Sequence, residues 1–530
     1  MGIAHDYLHA VMRRGRVEMP PVGFQPDWAD KPRAGKFYPG TDRLPLPRGN
    51  YPADATVDAG LAPPRPGPGA RVSLDALGGM LLDSYGLLSR RLALHANDDL
   101  ASLPRYAAAS WARGTASGGG LYPVSVYWVN GRESPLTPGV YAYDPPHHAL
   151  RRLLTGDVSG HVREALNLPS LPADTGQFLV LGIKFWQNAF KYNSFCYHAT
   201  TMDIGTLTQT WRMWARARGM TVEPAFWFDE QRLNHLLGTD PDDEGVLAVV
   251  PLLSGPLPDT AAPTGTPRVR RADQERSRHV QVFPTVRAVH RATLEGAARR
   301  PDARALAAAA APPAVTDDQH EIALPGPAPL TATVRDALRS RRSAFGRFTS
   351  AAPLRTAELA AVLRAAASGA ALPCDVSPPG KGLALAGTYV FVNHVNGLEA
   401  GAYAYVPETA CLRRVVSGPH GTFLQRTYFL RNYNLEQAGA VVLTTVRTGA
   451  VLDAVGDRGY RVANAVAGAA SQAMYTACAA LGIGCGSVLG FDNLSYIERL
   501  DLTATGECPL LLTMVGHERP GPAAFRYEIV

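Results

Sequence analysis

No two cysteines in this 530-residue chain have the spacing of a zinc site. Cys196, Cys374, Cys411, Cys478, Cys485 and Cys508 form no CxxC pair, so they read as small core residues in a reduced compartment. Long apolar runs are also missing. VLAVVPLL (246–253) falls far short of the ~20 residues a membrane helix needs. The opening MGIAHDYLHAVMRRGRVEMPP has an arginine pair with no apolar region after it, and lacks the Ser/Thr of a myristoylation site. The expectation is therefore a cytoplasmic protein without membrane attachment. Net charge is +6, but no Lys/Arg block is interleaved with aromatics. That disfavours nucleic acid and leaves room for an anionic cofactor or an acidic peptide. No separate dinucleotide-binding fingerprint appears either.

What the chain does have is a repeat. Gly176–Asp229 aligns without a gap on Gly439–Asp492, 263 residues later. Tyr197 falls on Tyr460, Gly205 on Gly468, Gln209 on Gln472, Gly219 on Gly482, and Phe228-Asp229 on Phe491-Asp492. GVYAYDPPHHALRRLLTG (139–156) recurs as GAYAYVPETACLRRVVSG (401–418), offset by 262. Two echoes at nearly one offset imply a duplicated domain, not a solenoid with its period of about 20–50 residues. The chain divides into a Pro/Gly-rich arm (1–70), a first copy (71–255), a connector (256–329) and a second copy (330–530). The arm should run extended, wrapped over a neighbouring surface, or be disordered. The connector, with Pro/Thr-rich ends, a basic run and an Ala tract, should make few tertiary contacts, and His279 and His290 should be solvated or packed.

Periodicity places the elements. A helix is predicted over Val72–Leu88, capped by Ser73, with a counterpart over Pro353–Ala367. Strands are predicted over Phe178–Ile183 and Val246–Leu252, and again over Val441–Thr444 and Pro509–Val515. Long helices are predicted over Tyr197–Ala217 and Tyr460–Ala480. The second is crowded with Ala and Gly, as suits a close domain–domain contact. Residues 89–114 have no counterpart and read as an insertion.

The copies differ where chemistry would sit. Lys191-Tyr192, expected in a polar loop, falls on Ala454-Val455 in the second copy. ASGGGLYP (116–123) carries three glycines, which let backbone N–H groups approach a ligand. In the second copy Pro379 replaces Ser117, and Ala384-Leu385 replaces Tyr122-Pro123. The second copy alone opens with TVRDALRSRRSAFGRF (333–348). Its Arg341, Arg342, Ser343 and Arg347 suit either a phosphate or a solvated helix end. No such element is apparent in the first copy ahead of Leu74.

RRSAFGRF followed by a helix resembles the opening of the flavin-dependent nitroreductase fold. SGGGLYPVSVYWV, GVYAYDPPHHALRRL, KYNSFCY and GDRGYRVANAVAGAASQ together resemble its SagB/McbC-type branch of azoline dehydrogenases. The resemblance implies an α+β fold: tandem nitroreductase-like domains, each a mostly antiparallel sheet flanked by helices, forming an intramolecular pseudo-dimer. It implies FMN held by Arg341, Arg342, Ser343, Arg347, Leu489, Gly490 and Arg519 of the second copy, and by Ala116, Ser117, Gly118 and Gly120 of the first. It implies Lys191 and Tyr192 as the catalytic pair, either of them the base, and no metal. The substrate implied is an azoline-containing precursor peptide, with a cyclodehydratase or leader-binding protein as a further partner and oxygen as terminal oxidant. Glycine in the branch becomes Trp227 in the first copy, and its Gly-His-x-x-Gln becomes GTLTQ (205–209) and GAASQ (468–472). One good and one decayed FMN site is the expectation. The rival readings are an NAD(P)H-dependent nitroreductase, a flavin-free peptide-binding scaffold, and a dehydrogenase for an assembly-line-tethered azoline.

Overall fold

The computed structural model describes residues 2–63, 69–95, 105–172, 175–253, 265–312, 321–520 and 524–529. The Pro/Thr-rich start of the connector and the tip of the 89–114 insertion lie outside the described residues.

Each copy builds one antiparallel sheet. In the first, the spatial order is Arg43–Pro45, Ala149–Thr155, Gly139–Asp144, Val124–Asn130, Gln177–Lys184, Glu244–Leu252. In the second it is Gly484–Val488, Cys508–Gly516, Ala440–Val446, Ala386–Val392, Gly401–Val406, Cys411–Ser417, Glu321–Ala323. The central strands are covered on both faces, so they read as continuous apolar runs. Phe178 and Val180 join one core, while Leu179, Leu181 and Ile183 join the other, the two-residue alternation of a strand. The Ser73-capped helix spans Leu74–Tyr85, with the Ser73 hydroxyl accepting the Ala76 N–H.

The copies meet through their long helices, Cys196–Arg216 and Gly459–Leu481. Contact is reciprocal. A Cβ on Gly205 would overlap the Ala465 carbonyl, and one on Gly468 would overlap the Met202 carbonyl. Gly205 matches Gly468, and Met202 matches Ala465, under the 263-residue offset. The pair is therefore one contact made twice about a local two-fold axis, the mark of an isologous interface. On that axis Asn464 donates to Thr201 at 2.8 Å, and the matched rings of Tyr197 and Tyr460 lie 6.2 Å apart.

A second reciprocal contact corrects the sequence reading. The helix Val57–Leu61 is capped by Thr56, as Val334–Ser340 is capped by Thr333. Val57 N–H bonds the Ala332 carbonyl, and Val334 N–H bonds the Ala55 carbonyl. The first copy does keep the helix that precedes the arginine cluster. It is short, lacks the arginines, and runs into Ala62-Pro63.

The connector is tied down, contrary to expectation, and the arm, docked over the copies, is not extended throughout. The arm begins with a helix, Ile3–Arg13, that buries Ala4, Tyr7, Leu8, Val11 and Met12, a helical stripe. Each large side chain so buried contributes about 1.5–3 kcal/mol. The connector helix Pro284–Leu294 inserts His290 and Thr293 between the copies. There Glu230 accepts Arg458 at 2.9 Å and Arg461 at 2.7 Å, and both arginines also reach Thr293. Burial lowers His290 to about 4, so it packs uncharged. The insertion forms a hairpin, Ser89–His95 with Arg105–Ala112, that pairs with Ala524–Glu528. Among the described residues no helix is long and apolar enough to cross a membrane, and no His/Cys/Asp/Glu cluster could hold a metal.

Candidate functional site

Lys191 and Tyr192 do not lie in a loop. They end a short helix, Trp186–Tyr192, that follows the strand Gln177–Lys184. Trp186, Ala189 and Phe190 pin that helix to the core, and the next two residues are left half-buried. Asn193, at φ 43°, reverses the chain into the first central helix. The change from loop to helix comes from the buried apolar residues, which the polar look of KYNS concealed.

The helix end faces the glycine turn. Gly119 and Gly120 have φ of 61° and 68°, in the region that favours glycine. A Cβ on Gly119 would also strike the Tyr192 hydroxyl and the Lys191 ammonium. Asp203, on the central helix, holds the turn from below. Its carboxylate accepts the Ser117 hydroxyl at 2.7 Å and the Gly118 N–H at 2.9 Å. Ser117 in turn accepts the Tyr122 N–H at 2.9 Å. Asp203 is a residue the sequence reading missed; an acid two residues before the GTLTQ glycine is the signal that was available.

From the other copy, Gln472 accepts the Ala116 N–H at 2.8 Å. Arg341 is buried over the Tyr475 ring and donates to the carbonyls of Gly114 at 2.8 Å and Arg113 at 2.9 Å. Arg341 thus grips the backbone that leads into the first copy's turn, and its guanidinium donates to backbone oxygens. The other three cations converge elsewhere on the same segment. Arg342 and Arg347 approach the Glu518 carboxylate at 2.9 and 3.4 Å. Arg347 donates to the Arg519 carbonyl and Arg519 to the Gly346 carbonyl. Three guanidinium groups against one carboxylate leave an excess positive charge, which fits a phosphate-bearing cofactor. Ser343 lies 3.1 Å from the Tyr475 hydroxyl, which accepts the Ser487 N–H. The strand carrying Ser487 runs into Leu489-Gly490, so arginine segment and turn are held together. Arg14, from the arm helix, donates to the Leu489 carbonyl and covers the Phe195 ring at 4.4 Å.

Burial favours the uncharged form of both the Lys191 and Tyr192 side chains. It disfavours the charge on Lys191 and lowers it from its usual value. Burial, with the charges of Asp203 and Tyr428, pushes the Tyr192 hydroxyl up. Burial raises Asp203 to about 7, against the hydrogen bonds from Ser117 and Gly118.

The position related by the local two-fold is filled by protein. The N–H groups of Phe226 and Trp227 bond the Asp375 carboxylate at 2.8 and 3.0 Å. Arg300 of the connector joins Asp375 to the carbonyls of Leu166, Asn167 and Trp227. At the matching Leu489 and Gly490 no carboxylate takes that place among the described residues. A cavity of about 260 Å³ beside Lys184, Trp186, Val280 and Val282 shares no residue with either position.

Residues 338–517 match the Nitroreductase family model. This segment is a nitroreductase-family domain. A Methanocaldococcus jannaschii protein described as a nitroreductase is 31% identical over 130 residues, 24% of this chain and 64% of its own length. The chain thus spans a little under two thirds of that relative. A crystal structure of an Anabaena variabilis protein, also described as a nitroreductase, superposes on 98% of this chain and all of its own. Its TM-score is 0.70 at 22% identity, so the likeness in fold extends beyond the nitroreductase domain to the first copy. The E. coli microcin synthetase McbBCD complex with truncated pro-MccB17 aligns over 34% of this chain and 70% of that one, with TM-score 0.28 and 14% identity.

Proposed function

We propose that the chain is an FMN-dependent dehydrogenase that oxidises azoline rings of a precursor peptide to azoles. The observation that carries this reading is the meeting of the two halves. Lys191 and Tyr192 of the first copy abut a glycine turn whose leading segment, residues 114–116, is bonded by Gln472 and Arg341 of the nitroreductase domain.

Arg342, Ser343, Arg347 and Arg519 would hold the FMN phosphate. Ala116, Ser117, Gly118 and Gly120 would line its ring from one copy, and Leu489 and Gly490 from the other. Arg341 positions the first of these segments. When bound, the flavin supplies the two-electron acceptor for the ring's hydride, and dioxygen is the final oxidant. The chain's own contribution is the proton. Lys191, biased by burial toward its neutral amine, takes the ring C–H proton onto Nζ. Tyr192, kept protonated, donates a hydrogen bond and does not act as base. An azoline-bearing peptide is the substrate, and a cyclodehydratase or leader-binding protein the supplier of it.

The test uses purified protein and a synthetic peptide with one thiazoline. About one FMN per chain is expected, since Asp375 and Arg300 fill the second position. Lys191→Ala should cut azole formation by about 10²–10⁴-fold with flavin retained, and Tyr192→Phe by less. Undiminished azole formation in Lys191→Ala would remove it from the mechanism. Colourless protein, or rapid NADH oxidation with a nitroaromatic and no azole, would overturn the reading as a whole.

A further inference from the structure

The arm brings an aromatic side chain to the Lys191 helix that the reading above does not use. Trp28 is 53% exposed, whereas Tyr7 and Tyr38 of the same arm are buried. Its ring meets Phe190 edge-on, with centroids 5.4 Å apart and planes at 88°. The Lys191 ammonium lies 6.0 Å from its centroid.

The segment is fixed rather than loosely draped. Asp27 accepts the N–H groups of Ala29 and Asp30. The Asp30 carboxylate accepts those of Arg278 and His279, at 2.7 and 2.8 Å. The Asp30 carbonyl accepts the Ser277 hydroxyl, and Ser277 accepts the Trp186 indole N–H at 2.9 Å. Trp186 opens the same helix that Lys191 and Tyr192 close. A network of polar bonds therefore holds a half-exposed indole beside the amine proposed to take the substrate's proton.

We infer that Trp28 is a specificity-determining residue, the platform on which the substrate's five-membered heterocycle stacks next to Lys191. The inference rests on the dehydrogenase reading. The chemistry of the pair selects the ring. An indole face carries negative potential and disfavours an anion. The neighbouring Lys191 amine becomes an ammonium as it takes the proton, and so disfavours a cation. A flat, uncharged heterocycle satisfies both, and gains stacking as it becomes aromatic.

The test compares Trp28→Ala and Trp28→Phe with the unaltered protein. Flavin per chain, turnover of the thiazoline peptide, and calorimetric binding of its thiazole product peptide are measured. Trp28→Ala should raise KM and weaken product binding about tenfold with flavin unchanged, and Trp28→Phe should restore most of both. The indole also favours the charged ammonium. Its removal should therefore shift the acid limb of the pH–rate profile down by about half a unit. Unchanged KM and binding in Trp28→Ala would overturn the inference. So would equal losses of flavin and melting temperature in both variants, which would make the arm a structural strap. Failure of the dehydrogenase reading itself looks different: the unaltered protein would lack flavin, or would neither turn over the thiazoline peptide nor bind its product.

Discussion

Gln472 accepts the Ala116 N–H at 2.8 Å, and its duplicate Gln209 has no such bond to accept. The residue that matches Ala116, at the 262-residue offset of the neighbouring strands, is Pro378, which has no N–H. Both polar atoms of the Gln209 side chain are buried without a hydrogen-bond partner among the described residues. One glutamine ties the copies together at the candidate site; the other is a relic. Gln472→Leu should cost about 1–3 kcal/mol by orphaning a backbone donor, and should weaken flavin retention. Gln209→Met should be neutral or stabilising. Urea midpoints and flavin content of the two variants check the contrast.

Gly205 and Gly468 predict a shared sensitivity. Adding one methyl at either should force the central helices apart at a backbone carbonyl. Gly205→Ala should destabilise by about 1–3 kcal/mol or more, and the site, built across that interface, should lose cofactor with it. Differential scanning calorimetry with flavin readout is the measurement. A variant as stable as the parent would mean the helices are not so closely packed.

Asp203 predicts a pH dependence of unusual sign. Its folded value, about 7, lies above the ordinary 3.8. Between roughly pH 4 and 7 the folded chain holds a proton that the unfolded chain has released. The contribution of Asp203 to stability therefore falls as pH rises through that window and is flat above it, a loss on the order of a few kcal/mol. Asp203→Asn should remove that slope from the plot of melting temperature against pH. It should also perturb the glycine turn, since the amide cannot accept from both Ser117 and Gly118 with the same strength.

Glu230 is the single carboxylate between Arg458 and Arg461, all three buried. Burial opposes its charge, but the two arginines prevail and hold it below the usual carboxylate range. Glu230→Gln leaves two guanidinium groups without a counterion and should cost about 3–5 kcal/mol. The connector helix, bound to both arginines through Thr293, should become more open to limited proteolysis.

The duplication was legible because insertions between the copies are few, and matched landmarks survive where backbone approaches backbone. Strands such as Gln177–Lys184 were legible because burial on both faces writes a continuous apolar run. The arm helix was missed although Ala4, Tyr7, Leu8, Val11 and Met12 keep helical spacing; the prolines after it dominated the reading. The Val57–Leu61 helix was missed because five residues carry too little periodicity. Only the reciprocal bonds, Val57 to Ala332 and Val334 to Ala55, reveal what it is.

By itself the sequence determined that two related units exist, where their main strands and central helices run, and that Lys191-Tyr192 and the Arg341–Arg347 segment each survive in one copy only. Tertiary structure decided the rest: that a lysine thought to sit in a loop closes a helix against Gly119, that Asp203 supports the glycine turn, and that Asp375 and Arg300 fill the opposite position. The reason is range. Periodicity records what a residue does to its near neighbours in the chain, whereas these contacts join groups from tens to hundreds of residues apart, and only the close crossing of the two central helices fixes where they meet.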